Sequence, residues 1–176
     1  MQLNLSELLT VDGLKKEYQI PLEYDSFATP AGNYPITEKS PVQLGITHVK
    51  NREITIQAQV TLKLQIPCDR CLTPVRIPFS LDFEREVDLN VSEEDRAEAL
   101  DEQPYVIGYD LDVDRLVGDE LFSNLPMKVL CREDCRGLCR VCGANLNTQT
   151  CNCDDHSSED PRMSVIRDIF KNFKEV

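Results

Sequence analysis

"EITIQAQVTLKLQIPCDRCLTPVRIPFSLDF", residues 53–83, decides the fold. From 54 to 66 every even position is apolar: Ile54, Ile56, Ala58, Val60, Leu62, Leu64 and Ile66. Every odd position is polar, and period-two alternation of this length describes a strand with one buried face. After "PCDRCL" the alternation resumes on odd positions, at Val75, Ile77, Phe79, Leu81 and Phe83. A two-residue turn at Asp69 and Arg70 accounts for the change of parity. Cys68 then opposes Cys71, Leu64 opposes Val75, and the two apolar rows share a face. The sequence therefore predicts a long hairpin with a Cys-x2-Cys pair at its tip. Pro74 and Pro78 donate no ladder hydrogen bond, which places residues 73–89 at a sheet edge.

The flanking sequence adds to this sheet. Residues 16–24 alternate through Tyr18, Ile20, Leu22 and Tyr24, and 41–49 read as another strand. Between them, 26–41 carry Pro30, Pro35 and Pro41 and read as an irregular connection. Residues 91–104 read as an exposed acidic excursion with at most a helical turn, and 105–113 as a short extended piece. Apolar residues at 113, 116, 117, 121 and 125 have helical spacing, with Asp112 or Asp114 as cap and Pro126 beyond the end. A last helix is expected after Asp160 and Pro161, with Val165, Ile166, Ile169, Phe170 and Phe173 as its stripe. The expected fold is α+β: an antiparallel, partly barrel-like sheet with the long hairpin, two helices and a C-terminal cysteine-rich zinc module. The expected domains are 1–126, β-rich with the acidic excursion and a helix, and 127–176, the module with the last helix.

All eight cysteines lie in two places, Cys68/Cys71 and the run "CREDCRGLCRVCGANLNTQTCNC" at 131–153. No apolar stretch suits a membrane span, and the first twenty residues lack the pattern of a secretory signal. The expected location is the cytoplasm, where clustered cysteines are metal ligands more often than disulfides. Zinc takes four thiolates in a tetrahedron, and a tight turn can supply two of them. "CRVCG" is the most specific unit, because a glycine after Cys-x2-Cys frees the backbone to turn around the ion. Cys139, Cys142, Cys151 and Cys153 then make one set, and Cys68, Cys71, Cys131 and Cys135 a second. A single zinc held by three or four of Cys135, Cys139, Cys142, Cys151 and Cys153 is the other partition. In that case Cys68 is a packing residue. His156 could replace one sulfur, whereas His48 reads as an ordinary strand residue.

Four thiolates leave a zinc ion no open position, and catalytic zinc needs one. There is no HExxH, no P-loop and no G-x-S-x-G. The chain is read as no enzyme, with no small-molecule substrate and no membrane partner. A zinc-thiolate redox sensor or chaperone-type module is the competing reading, and a metalloenzyme a third.

The net charge is −12. Fifteen acidic and three basic side chains lie between 82 and 120, so the rest of the chain is balanced. The overall charge of −12 disfavours broad phosphate contact, which needs clustered Lys and Arg. The acidic stretch suits a solvated face or a basic protein partner. Lys128, Arg132, Arg136 and Arg140 make the cysteine region locally basic and are the candidate RNA contacts.

The hairpin tip "CDRCL", the helix ending "LP", the cysteine run and the closing "DPR" helix resemble, in this order, the bacterial YceD family, the large ribosomal RNA subunit accumulation proteins. The likeness spans residues 50–173. It implies a cytosolic, non-enzymatic factor supporting synthesis or accumulation of large-subunit ribosomal RNA. Its partner would be that RNA or a basic ribosomal protein. The second cysteine cluster is absent from some members of the family, which implies a structural role for its zinc.

Overall fold

The computed structural model describes residues 1–91 and 103–153. Its contacts divide the chain into two units. One comprises residues 1–66 and 75–127, the other 67–74 with 128–176, so the hairpin tip belongs with the cysteine-rich segment.

The first unit is built on an antiparallel sheet. In chain order its strands are β1 (Gln2–Asn4), β2 (Lys15–Ile20), β3 (Ser26–Thr29), β4 (Gly32–Lys39), β5 (Val42–His48), β6 (Glu53–Pro67), β7 (Pro74–Asp88), β8 (Val106–Ile107) and β9 (Asp110–Asp112). β6 is central. One of its sides meets first β5 and then β4, which follow each other along it, and β7 also pairs with it. β2 lies outside β5 and β3 outside β4. β1, β9 and β8 form a separate three-stranded sheet.

The alternation read in 53–66 appears as alternating burial. Ile54, Ile56, Val60, Leu62 and Leu64 are buried, while Glu53, Gln57, Gln59 and Thr61 are exposed. Leu44 and Ile46 from β5 and Leu81 and Phe83 from β7 complete the same apolar layer. A 3-10 turn, Leu8–Thr10, lies against β5. His48 is buried in β5, where its Nδ1–H donates to the Val11 carbonyl at 2.9 Å. It packs as a strand residue.

Helix α1 (Val113–Ser123) buries Val113, Leu116, Val117 and Leu121, the stripe expected from the spacing. Asp112 caps it by accepting from the Arg115 N–H, and the cap hydrogen bond satisfies a donor that the first turn cannot. Gly118 passes within van der Waals reach of Phe27 on β3, so the helix lies on the sheet. Among the described residues no helix is long and apolar enough to cross a membrane.

Three expectations are corrected. No closed barrel forms: among the described residues the ladder stops at β7, and its pairing does not return to β2 or β3. With α1 seated on the apolar layer, the sheet has no need to close on itself. Among the described residues there is one α-helix, not two; the helix expected after Asp160 lies outside them, as does most of the acidic excursion.

The stretch 26–41 is no irregular connection but holds the β3–β4 hairpin. Pro30 sits in its two-residue turn, where a fixed φ helps, and the Thr29 hydroxyl accepts from the N–H groups of Ala31 and Gly32. Pro41 marks the break between β4 and β5. Lastly, the tip of the long hairpin is a four-residue loop, not two. The Cys68 N–H bonds to Thr73 O, and Gln57 and Gln59 reach Glu84 and Asp82. Cys68 therefore faces Thr73, and the register is two residues from that expected. A shift of two preserves the faces, so the apolar rows still coincide.

Candidate metal centre

In the second unit the eight cysteines form two groups. The sulfurs of Cys68, Cys71, Cys131 and Cys135 lie within 4.8 Å of one another, and so do those of Cys139, Cys142, Cys151 and Cys153. No histidine belongs to either group among the described residues, and His156 lies outside them. Four sulfurs at about 2.3 Å from zinc are separated by about 3.8 Å along a tetrahedron's edge. Cys68 and Cys135 are 3.8 Å apart and Cys71 and Cys131 3.5 Å. The donor set fits zinc in both groups.

The two Cys-x2-Cys units are built alike. In the first, the Cys68 N–H bonds to Thr73 O and the Leu72 N–H to Cys68 O. In the second, the Cys139 N–H bonds to Ala144 O and the Gly143 N–H to Cys139 O. The residue after the second cysteine has φ of +58° at Leu72 and +71° at Gly143. That left-handed residue turns the backbone so that both sulfurs face the same point. Glycine adopts it without strain and leucine does not.

Residues outside the cysteines hold the first group together. Asp69 N–H donates to Val129 O at 2.9 Å, and the Val129 N–H returns to the Asp69 carboxylate at 2.6 Å. Arg70 donates to Cys135 O, and its own carbonyl accepts from the Leu138 N–H. Gly137 (φ +78°) makes this possible, since a Cβ there would stand 3.0 Å from the Arg70 oxygen. The Asn147 amide donates to Cys135 Sγ at 3.3 Å, while its oxygen accepts from the Arg136 N–H and from Arg132. A hydrogen bond to a ligating sulfur orients it and moderates its charge. Thr73, beside Cys71, lies 3.2 Å from that sulfur.

Asp69 and Arg70 read in the sequence only as a turn, and Thr73, Gly137 and Asn147 carry no site reading there. The signal for Gly137 was its place in "CRGLC", and Asn147 stands inside the turn before "CNC". Lys128, Arg132, Arg136 and Arg140 all lie in this unit and are exposed. Arg132 is 3.4 Å from Asp134 as well as bonded to Asn147. The four cations are spread over the module, with Glu133 and Asp134 among them.

Thiol acidity is uneven. Withdrawal from water opposes ionisation of Cys68, but the backbone N–H groups of Arg70, Cys131 and Cys71 bring it down to about 6. The N–H groups of Cys142 and Val141, with the Cys151 sulfur, bring Cys139 down to about 6. Withdrawal from water and the surrounding sulfurs push Cys131 up to about 12. The Cys142 sulfur and loss of water do the same to Cys153. Each cluster thus yields one thiolate readily and resists the last. Four thiolates side by side need a cation among them.

The family description "Large ribosomal RNA subunit accumulation protein YceD" matches residues 56–170. An uncharacterized protein of Mycobacterium tuberculosis is 32% identical over 99 residues, which is 56% of this chain and 47% of that one. An uncharacterized protein of Mycobacterium bovis matches to the same extent. Large ribosomal RNA subunit accumulation protein YCED homolog 1, chloroplastic, of Zea mays is 30% identical over 63 residues, 35% of this chain and 21% of that one. The chain spans about half the length of the mycobacterial relatives it matches and less of the maize protein. No solved structure matches. With the match covering well over half of its length, and with the cysteine clusters inside the matched span, this chain belongs to the YceD family of large ribosomal RNA subunit accumulation proteins.

Proposed function

We propose that the chain is a non-enzymatic cytoplasmic factor that supports accumulation of large-subunit ribosomal RNA by binding, and that two structural zinc ions shape its binding module. The family match carries the process, and the two four-sulfur clusters carry the metal. Full thiolate coordination leaves no position for water or substrate, which supports a structural ion.

Charge favours a basic protein partner over direct phosphate contact. Residues 67–74 and 128–153 hold five cations, Arg70, Lys128, Arg132, Arg136 and Arg140, against Asp69, Glu133 and Asp134. Each zinc with four thiolates carries a net charge of about −2. Two such centres turn a slightly positive segment negative, and the arginines become their counter-charges. The 82–120 stretch adds exposed Asp82, Glu84 and Glu86 on β7. The chemistry suits a basic ribosomal protein. Direct RNA contact through Lys128, Arg132, Arg136 and Arg140 is the second reading, supported by the exposure of all four in the cysteine-rich unit.

The test is capture from native lysate with and without RNase, using the wild-type chain and the R132E/R136E/R140E variant. The expected result is one basic large-subunit protein retained in every arm. RNA captured without that protein, and lost in the variant, would establish the second reading. Depletion of the chain should lower the ratio of large- to small-subunit ribosomal RNA, and an unchanged ratio would remove the assignment to this process.

A further inference from the structure

The two clusters share a chemistry but not an environment. Cys68, Cys71 and Cys135 are 0%, 4% and 4% exposed, and Cys131 is the one exposed member of their cluster. The cluster joins two stretches of chain whose paired cysteines lie 67 and 60 residues apart. Those stretches are also tied by the Asp69–Val129 pair of hydrogen bonds, by Arg70 to Cys135 and by Leu138 to Arg70. Cys139, Cys142, Cys151 and Cys153 come from one run of fifteen residues. Cys142 and Cys153 are exposed and the other two half-buried. Short-range bonds shape this run, among them Gly143 to Cys139, Val141 N–H to the Cys139 sulfur, and Thr148 and Gln149 to Asn145. Val141 between the first two cysteines is itself half in solvent.

We propose that the second cluster is an oxidation-labile zinc site, a thiol modification site, while the first keeps its metal. This rests on the zinc reading above. A small peroxide reaches Cys142 and Cys153 without opening the fold. One thiolate attacks a peroxide oxygen, the O–O bond breaks, and the sulfur becomes a sulfenic acid as hydroxide leaves. The second thiolate attacks that sulfur, an S–S bond forms and a second hydroxide leaves. Two electrons pass from sulfur to peroxide, and two protons from solvent convert the hydroxides to water. All four sulfurs lie within 4.8 Å, so the exposed pair is in reach. Only two thiolates of the four would then remain to hold a zinc ion, too few for a tetrahedral structural site. The segment 139–153 then loses the ion that shapes it, while the chain around Cys135 stays clipped to the loop at Cys68. A thiol reductant with zinc reverses the change.

The test uses the full chain, purified under reductant with added zinc and then freed of both. Hydrogen peroxide is added with a chromogenic zinc chelator, and samples are alkylated and mapped by mass spectrometry. Expected is release of about one of the two zinc ions per chain, with the second released about tenfold or more slowly. The disulfide should lie within 139–153, with Cys142 and Cys153 oxidised first. The doubly substituted C142S/C153S chain should hold one zinc and show no fast release. Should that variant fail to fold, the wild-type disulfide map decides alone. Simultaneous loss of both ions overturns the proposal, as does early oxidation of Cys68, Cys71, Cys131 or Cys135. So does no release at peroxide levels that oxidise the denatured chain. A starting content below two zinc ions removes the zinc reading itself, and this proposal with it.

Discussion

The sheet and the cysteine module are held together by different physics. In the first unit large apolar side chains are withdrawn from water: Leu44, Ile46, Ile54, Ile56, Leu64, Leu111, Leu116 and Leu121 are all less than 2% exposed. Each such side chain contributes about 1.5–3 kcal/mol on burial. In the described part of the second unit Val129 is buried, Leu130, Leu138 and Leu146 are half-buried, and Leu72 and Val141 face solvent. Burial on that scale does not offset the conformational entropy of ordering the segment. Sulfur does the work of a core there. A region that lacks apolar residues can be rigid when its ligands converge on an ion, and it then stays sensitive to whatever reaches the sulfurs.

The largest effect that separates the two regions is metal removal. Structural zinc contributes about 10–16 kcal/mol in small peptides, more than the about 5–15 kcal/mol of a typical domain. Chelation of zinc, or Cys71→Ser, should abolish amide exchange protection at Leu138, Cys139 and Leu146. Protection at Ile56, Ala58 and Val60 in β6 should survive. Cys142→Ser should unfold 139–153 and leave the first cluster filled. Loss of β6 protection together with the module's would show that the metal holds up the whole chain and would break the comparison.

The reciprocal experiment is smaller. Leu64 is 0% exposed. Leu64→Ala should cost the sheet about 2–5 kcal/mol through lost burial and a cavity. Zinc content should stay at two. A chain that loses zinc on this substitution would show that the clusters need an intact sheet.

How much of this was legible follows from the same division. Burial leaves a period in the sequence, so β6, β7 and α1 could be read from 54–66, 75–83 and 113–121. The β3–β4 hairpin escaped because its prolines looked like breakers, whereas Pro30 occupies a turn. Cysteine spacing gave the two groups of four, since a tight turn delivers sulfurs in pairs. The shape of the loops was not legible. A two-residue turn explained the parity at the hairpin tip, but so does a four-residue loop, because faces repeat every second residue. The residues that brace the sulfurs, Asp69, Arg70, Gly137 and Asn147, act through single hydrogen bonds between distant segments. Such contacts leave no periodic trace.

Asn147 gives an intermediate effect confined to the module. Its side chain touches the Cys135 sulfur and ties down Arg136 and Arg132. Asn147→Ala should weaken zinc at the first cluster by about 10–100-fold, the usual loss when a second layer of bonds around a ligand is removed. Competition with a chelator of known affinity measures this. Equal weakening of both clusters would show that they form one cooperative unit. No change would leave Asn147 as a loop residue.

The smallest effect tests whether the two Cys-x2-Cys turns are as alike as their hydrogen bonds. Gly143 takes its left-handed conformation freely, but Leu72 takes the same conformation with a Cβ and is 63% exposed. A non-glycine residue there is disfavoured by about 1–2 kcal/mol. Leu72→Gly relieves that strain, and the more flexible unfolded chain offsets part of the gain. The net should be a stabilisation of about 0.5–1 kcal/mol, read as slower zinc loss from the first cluster under chelator. The reverse change, Gly143→Leu, should weaken the second cluster by a similar amount. A destabilised L72G chain would mean that the exposed leucine packs in a way its burial does not reveal, and the two turns would then be alike in backbone only.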